Sequence, residues 1–201
     1  MAIPQKKPFV TVDEYLVLER AALDKSEYFD GEIFAMARAT AAHSLISANV
    51  ICELRNRLRG NGCLPYDSNL RIEIPATGLF TYPDVSVICG PIEFSPLGND
   101  MATNPKLLVE VLSDSTEAYD RGGKFAHYRT IPSFREYILI SQTEPLVEVF
   151  FRRDDGIWEL APMKGLDATA RLQSLQIELP LAEIYYEVQF PEQPPLKPTG
   201  G

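Results

Sequence analysis

Asp84 and Glu110 are carboxylates set where apolar side chains are expected. Glu110 interrupts Leu107-Leu108-Val109 and Val111-Leu112, a near-continuous apolar run that predicts a strand covered on both faces. Asp84 falls within residues 80–88, a second predicted strand, directly after Pro83, which cannot donate a ladder hydrogen bond and marks an edge, a strand start or a bulge. An ionised carboxylate in such a place is costly unless a cation, a metal or dense hydrogen bonding offsets it. Two on neighbouring strands can share one divalent cation. Mg²⁺ prefers oxygen ligands and keeps several waters, so two side chains and a backbone carbonyl suffice when phosphate supplies the rest. That is the minimal equipment for metal-assisted phosphodiester hydrolysis. The plainer alternatives are a Glu110 paired with a neighbouring Arg or Lys, and an Asp84 bonded to local backbone amides.

The elements that must position these groups can be read in order. Thr11 and Glu14 form a capping-box pattern, predicting a short helix to about Arg20. Asp30-Gly31, flanked by residues 25–29 and 32–36, predicts a tight hairpin, with Glu27 on it. Leu45, Ile46, Val50, Leu54 and Leu58 recur at helical spacing through residues 40–59, and His43 falls on the Val50 and Leu54 side of that helix. His43 is then either a hydrogen-bonded core histidine or a site residue. Residues 66–74 alternate as a half-buried strand, with Leu70, Ile72 and Ile74 inward and Asn69, Arg71 and Glu73 outward. Residues 90–104 read as a long loop. After the Glu110 strand, residues 113–116 start a helix reaching Tyr128, on which Asp120, Lys124 and Tyr128 share a face. Gly122-Gly123 weakens that helix unless close packing requires glycine. A strand at 135–140, an antiparallel pair at 145–153 and 157–163, and a short helix at 179–186 follow.

Composition narrows the class. With 201 residues and 45% hydrophobic content the chain suits one soluble domain, expected over residues 10–187, with a flexible N-terminus at 1–9 and a disordered Pro-rich tail at 188–201. A net charge of −9 argues against broad electrostatic coating of nucleic acid. Cys52, Cys63 and Cys89 are odd in number and widely spaced, so they read as reduced core thiols rather than a disulfide or zinc framework. No stretch has the apolar length of a membrane span, and a cytoplasmic location with no membrane partner is expected.

Taken together, Tyr82-Pro83-Asp84-Val85, the strand Leu108-Val109-Glu110-Val111-Leu112-Ser113, the segment Asp120-Arg121-Gly122-Gly123-Lys124 with Tyr128, and the strand Arg135-Glu136-Tyr137-Ile138 resemble the restriction-endonuclease-like PD-(D/E)XK superfamily. The hairpin Glu27-Tyr28-Phe29-Asp30-Gly31-Glu32-Ile33 and His43 match its bacterial endonuclease branch, once catalogued as proteins of unknown function. The resemblance implies an α/β fold with a mixed sheet, an αβββαβ core, an N-terminal helix and hairpin, and a C-terminal antiparallel β extension. It implies a DNA endonuclease using Mg²⁺ or Mn²⁺, in which Asp84, Glu110 and the Val111 carbonyl hold the metal. The motif lysine is due at position 112, which is leucine, and Lys124 on the next helix matches its migrated position. The catalytic set is therefore Asp84, Glu110 and Lys124, with Glu27 and His43 as secondary candidates. Lys124 has the plainer alternative of a surface pair with Asp120. Nucleic acid is the implied partner, with a homodimer possible in this superfamily. The competing reading is a catalytically silent module of the same fold that binds DNA or protein.

Overall fold

The computed structural model describes residues 8–36 and 38–191. The flexible start and the Pro-rich tail expected from the sequence lie largely outside that range. Its frame is a sheet of order β12-β11-β10-β9-β6-β3, built around β9 (Leu107–Leu112), all six of whose residues are buried. β9 runs parallel to β10 (Glu136–Ser141) and antiparallel to β6 (Val85–Cys89). β3 (Cys63–Asp67) closes one edge, and the hairpin β11 (Leu146–Arg152) and β12 (Trp158–Lys164) extends the other. Helix α2 (Ala41–Arg57), capped by the Thr40 side chain, covers one face through Ile46, Val50 and Leu54. With β3, β6, β9, β10 and the helical segment before β10, it gives the expected αβββαβ order. Among the described residues, no helix is long and apolar enough to cross a membrane.

Two predicted strands are divided by the fold. Residues 66–74 break at a turn where Asp67 Oδ1 accepts from the Asn69 amide, leaving β3 in the first sheet and β4 (Arg71–Ile74) in another. Residues 80–88 break at Tyr82–Asp84 into β5 (Leu79–Thr81) and β6. The second sheet has the order β2-β1-β5-β4-β8-β7 and contains the N-terminal hairpin of β1 (Ser26–Phe29) and β2 (Glu32–Ala35). Asp30 and Gly31 take φ of 47° and 80° at its turn, as the dipeptide predicts. β4 is buried on both faces, because α1 (Val12–Ala21) covers the side carrying Arg71 and Glu73. The expected loop at 90–104 holds β7 (Phe94–Ser95) and β8 (Gly98–Ala102), which complete this sheet's far edge. Turn residues masked their pairing in the sequence.

The polypeptide after β9 is helical but irregular. Helix α3 (Glu117–Tyr119) runs into a wide π turn (Asp120–Lys124) and then α4 (Phe125–Tyr128). Gly123 has a packing reason, since a Cβ there would stand 2.8 Å from the Tyr119 ring. The expected closing helix is shorter than its residues suggested: β14 (Ile177–Pro180) pairs with β13 (Thr169–Leu172), and only Leu181–Ile184 forms α5.

The cysteine expectation is corrected. Cys63 and Cys89 face each other across β3 and β6 and form a disulfide, and Cys52 is exposed. Sequence spacing of 26 residues carries no sign that two strands will bring them opposite.

Glu136, at the start of β10, is fully buried and ties the β13–β14 turn down by accepting from the Gln173 and Ser174 amides and the Ser174 hydroxyl. Burial pushes its carboxyl up to about 7 despite those donors and Lys106. A raised folded pKa means stability present below the unfolded value and lost as pH climbs through the folded one. The stability advantage of wild type over Glu136→Gln, measured by urea unfolding, should therefore shrink by about 3 kcal/mol from pH 5 to pH 8. An unchanged difference would mean Glu136 does not titrate in this window.

Candidate active site

Glu110 keeps the face shared with Leu108 and Leu112, and that face looks onto α4 and the second sheet rather than onto α2. The chemistry-bearing side chains meet in the interior between the two sheets. Lys124, carried on the π turn, points into it with 5% exposure. Its ammonium lies 3.0 Å from Glu27 Oε1, 3.0 Å from Glu110 Oε1 and 3.7 Å from Asp120 Oδ1. The surface-pair alternative for Lys124 is thereby excluded: Asp120 accompanies it, but both are interior.

Glu27 and Glu110 each have a second anchor. Thr81, the last residue of β5, donates its hydroxyl to Glu27 Oε1. Tyr128 donates to Glu110 Oε1 at 2.7 Å. The π turn is held by the Tyr137 hydroxyl, which donates to the Asp120 carbonyl at 3.1 Å. A π turn is uncommon and concentrates at functional sites. Here it places Asp120 and Lys124 both inward, at 3% and 5% exposure.

Asp84 stands at the point where the chain leaves the second sheet for β6. Its Oδ2 accepts the Val111 amide at 2.7 Å and lies 3.1 Å from His43 Nε2. The amide that Asp84 accepts is therefore not a local one but that of Val111, 27 residues on in the central strand. His43 reaches it from the first turn of α2, the side its helical position indicated.

The electrostatics follow from too many acids around too few cations. Burial drives the Glu110 carboxyl well up, Lys124 pulls it down, and Asp120 and Asp84 push it up again. Asp120 is raised by burial in the same way, against Lys124. Burial disfavours the Lys124 ammonium, but Glu110, Glu27 and Asp120 outweigh that cost and hold its pKa well above the ordinary value. For His43, burial also opposes charge, and the hydrogen bond and charge of Asp84 outweigh it to leave the ring raised.

Among the described residues, no group of three or more His, Cys, Asp or Glu is arranged to hold a metal ion. The donor chemistry nevertheless suits a hard divalent cation, since Asp84 and Glu110 both carry carboxylate oxygens, one of each engaged by the bonds described. Glu27, Asp84, Glu110, Lys124 and His43 were all indicated by sequence. The sequence marks Asp120 only as a surface partner of Lys124, and Thr81 and Tyr128 carry no chemical signal of their own. The four-residue spacing of Asp120, Lys124 and Tyr128 was the one available clue.

Comparisons with known proteins bear on this geometry. A family model named Uma2 and described as "Putative restriction endonuclease" matches residues 12–182. Two Synechocystis sp. (strain ATCC 27184 / PCC 6803 / Kazusa) proteins are similar throughout. Uncharacterized protein slr1290 is 38% identical over 183 residues, 91% of this chain and 95% of the relative. Uncharacterized protein sll1609 is 33% identical over 177 residues, 88% of this chain and all of the relative. A crystal structure described as a "putative nuclease belonging to DUF820 from Anabaena variabilis ATCC 29413" superposes with a TM-score of 0.71 at 20% identity, covering 88% of this chain and 97% of that one. Together with the family match, the shared architecture is a restriction-endonuclease-like fold.

Removing one partner from a buried ion-pair cluster leaves uncompensated charge. Lys124→Met should cost about 3–5 kcal/mol of stability at pH 8 in denaturant unfolding. The loss should narrow as pH falls and the raised carboxyls of Glu110 and Asp120 take protons. A loss that grows on acidification would contradict this account of the cluster.

Proposed function

Since the chain belongs to the Uma2 family, described as "Putative restriction endonuclease", we propose that it is a divalent-metal-dependent DNA endonuclease that hydrolyses phosphodiester bonds at the Glu110 site. The observation that carries this reading is the buried Lys124, held between Glu27 and Glu110 at 3.0 Å from each. Three carboxylates gather round one buried ammonium with a fourth nearby, an excess of acid over cation that a divalent ion would offset.

Asp84 and Glu110, with the Val111 carbonyl, would hold Mg²⁺ or Mn²⁺. When bound, such an ion supplies Lewis-acid chemistry, making a water more acidic and neutralising charge at the phosphate. The residues of this chain do the rest. Lys124, kept protonated by its carboxylate neighbours, offers a positive charge to a phosphate whose negative charge grows during attack. Tyr128 fixes the Glu110 carboxylate, and the Val111 amide and His43 fix Asp84, so both enter the reaction in set orientations. Glu27, tethered by Thr81, is placed to orient a water or to release Lys124 toward substrate. Two copies acting together would cut both strands of a duplex, and a homodimer belongs to the proposal; sedimentation velocity showing monomer alone would remove it. A catalytically silent module of this fold is the competing reading, and nothing about such a module requires Asp84, Glu110 and Lys124 to converge.

The decisive experiment is plasmid nicking with Mn²⁺ by wild type, Glu110→Gln and Lys124→Met prepared identically. Wild type should nick, and both variants should lose at least about a hundredfold in rate, the scale of removing one group that stabilises transition-state charge. Mn²⁺ should also raise the melting temperature of wild type and of Lys124→Met, but not of Glu110→Gln. Equal nicking by all three preparations would assign the cleavage to a contaminant and favour the silent module.

A further inference from the structure

Two exposed aromatic rings belong to residues close in the fold to the carboxylate cluster: Phe34, opposite Glu27, and Tyr119, against Gly123. Phe34 on β2 is the direct cross-strand partner of Glu27 on β1, so the two side chains share one face of the hairpin, about 5 Å apart at Cβ. The same face carries Phe29, whose ring meets His127 of α4, so it is the face turned toward the segment bearing Lys124. Phe34 is 45% exposed. Tyr119 precedes the π turn that carries Lys124. Its ring lies along Gly123, and its hydroxyl is raised by burial and then by the nearby Glu27 charge, with Lys124, Asp120 and Glu110 also within range. It is 40% exposed. Among the described residues, neither ring stacks on another aromatic.

A second observation concerns the cations. Arg57 pairs with Glu53, Arg121 with Glu117 and Glu148, Arg135 with Asp154, Arg153 with Asp155 and Glu159, and Lys164 with Glu144. The chain as a whole carries −9. Long duplex DNA is held largely through phosphate contacts, and a chain of this charge with these arginines engaged by carboxylates has few cations left for it, the exposed Arg55 and Arg59 among them. Stacking offers another source of affinity. Every base has a π face, but only an unpaired or flipped-out base can present it to a side chain.

We propose that Phe34 and Tyr119 are substrate-positioning residues that receive an unpaired nucleobase next to the phosphate lying at the Glu110 site, so that the preferred substrate is a strand with unpaired nucleotides rather than continuous duplex. This rests on the nucleic-acid reading above and narrows it. Glycine at 123 belongs to the same device, because a side chain there would displace the Tyr119 ring.

The test is fluorescence anisotropy in chelator with three labelled probes of one sequence: a single-stranded DNA oligonucleotide, its full duplex, and a single strand with central abasic sites. Wild type should bind the single strand more tightly than the duplex, and the abasic strand about tenfold more weakly than the intact one. Phe34→Ala and Tyr119→Ala should each lose about tenfold on the intact strand and little on the abasic one, with Phe34→Trp and Tyr119→Trp restoring binding. Both positions are surface-exposed, so melting temperatures should match wild type and separate lost stacking from lost folding. Alanine variants that bind the intact strand like wild type, a wild type that prefers duplex, or no binding of any probe would each overturn the proposal. Aromatic-dependent binding without nicking in Mn²⁺ would leave this inference standing and remove the endonuclease reading. Nicking with aromatic-independent binding would do the reverse.

Discussion

The arrangement of this protein depends on one ammonium group held out of water by carboxylates. Desolvating Lys124 is costly, and so is desolvating Glu110; each is tolerable because the other lies 3.0 Å away. The contributors come from separate parts of the fold: Glu27 from the N-terminal hairpin, Glu110 from the central strand, and Asp120 and Lys124 from the π turn. None can be moved without stranding another. The cluster therefore acts as the registry point at which the second sheet, the central sheet and the helical segment after β9 are fixed to one another.

That constraint explains several local choices. The helix after β9 widens at Asp120–Lys124, where Tyr137 takes the Asp120 carbonyl and Gly123 leaves room for Tyr119. The chain bends at Tyr82–Asp84 because Thr81 must serve Glu27 from the end of β5, while Asp84 must receive the Val111 amide at the start of β6. Buried hydroxyls from Tyr128 and Tyr137 supply the remaining hydrogen bonds, so the polar interior is tied to aromatic packing around Phe125 and Phe134. A polar cluster braced in this way can keep a fixed geometry in an otherwise apolar core.

Electrostatically, the site is poised and unbalanced. Four acids, Glu27, Asp84, Glu110 and Asp120, surround Lys124 and His43, and the raised Glu110 and Asp120 carboxyls register that excess. The same imbalance suits added positive charge and resists a polyanion. Under the proposed reading, the exposed rings of Phe34 and Tyr119 would add neutral contacts with the rest of a substrate.

The sequence by itself determined the elements whose signals are local. The capping box at Thr11, the Asp30-Gly31 turn, the apolar stripe of α2 and the buried β9 with its one carboxylate could each be read within a few residues, and each stands in the fold. It also singled out Asp84 and Glu110, because a carboxylate inside an apolar run is conspicuous, while Glu27, His43 and Lys124 were marked chiefly by the family resemblance. Only the tertiary structure decided what alternation cannot encode. Residues 66–74 and 80–88 read as single strands because side-chain periodicity continues through a bend, whereas the sheet to which each half belongs depends on distant partners. The same reason hid the strands in 90–104, the opposition of Cys63 and Cys89, and the inward turn of Asp120. An Asp four residues before a Lys reads alike on a surface helix and in a buried cluster; burial, which comes from long-range packing, distinguishes them.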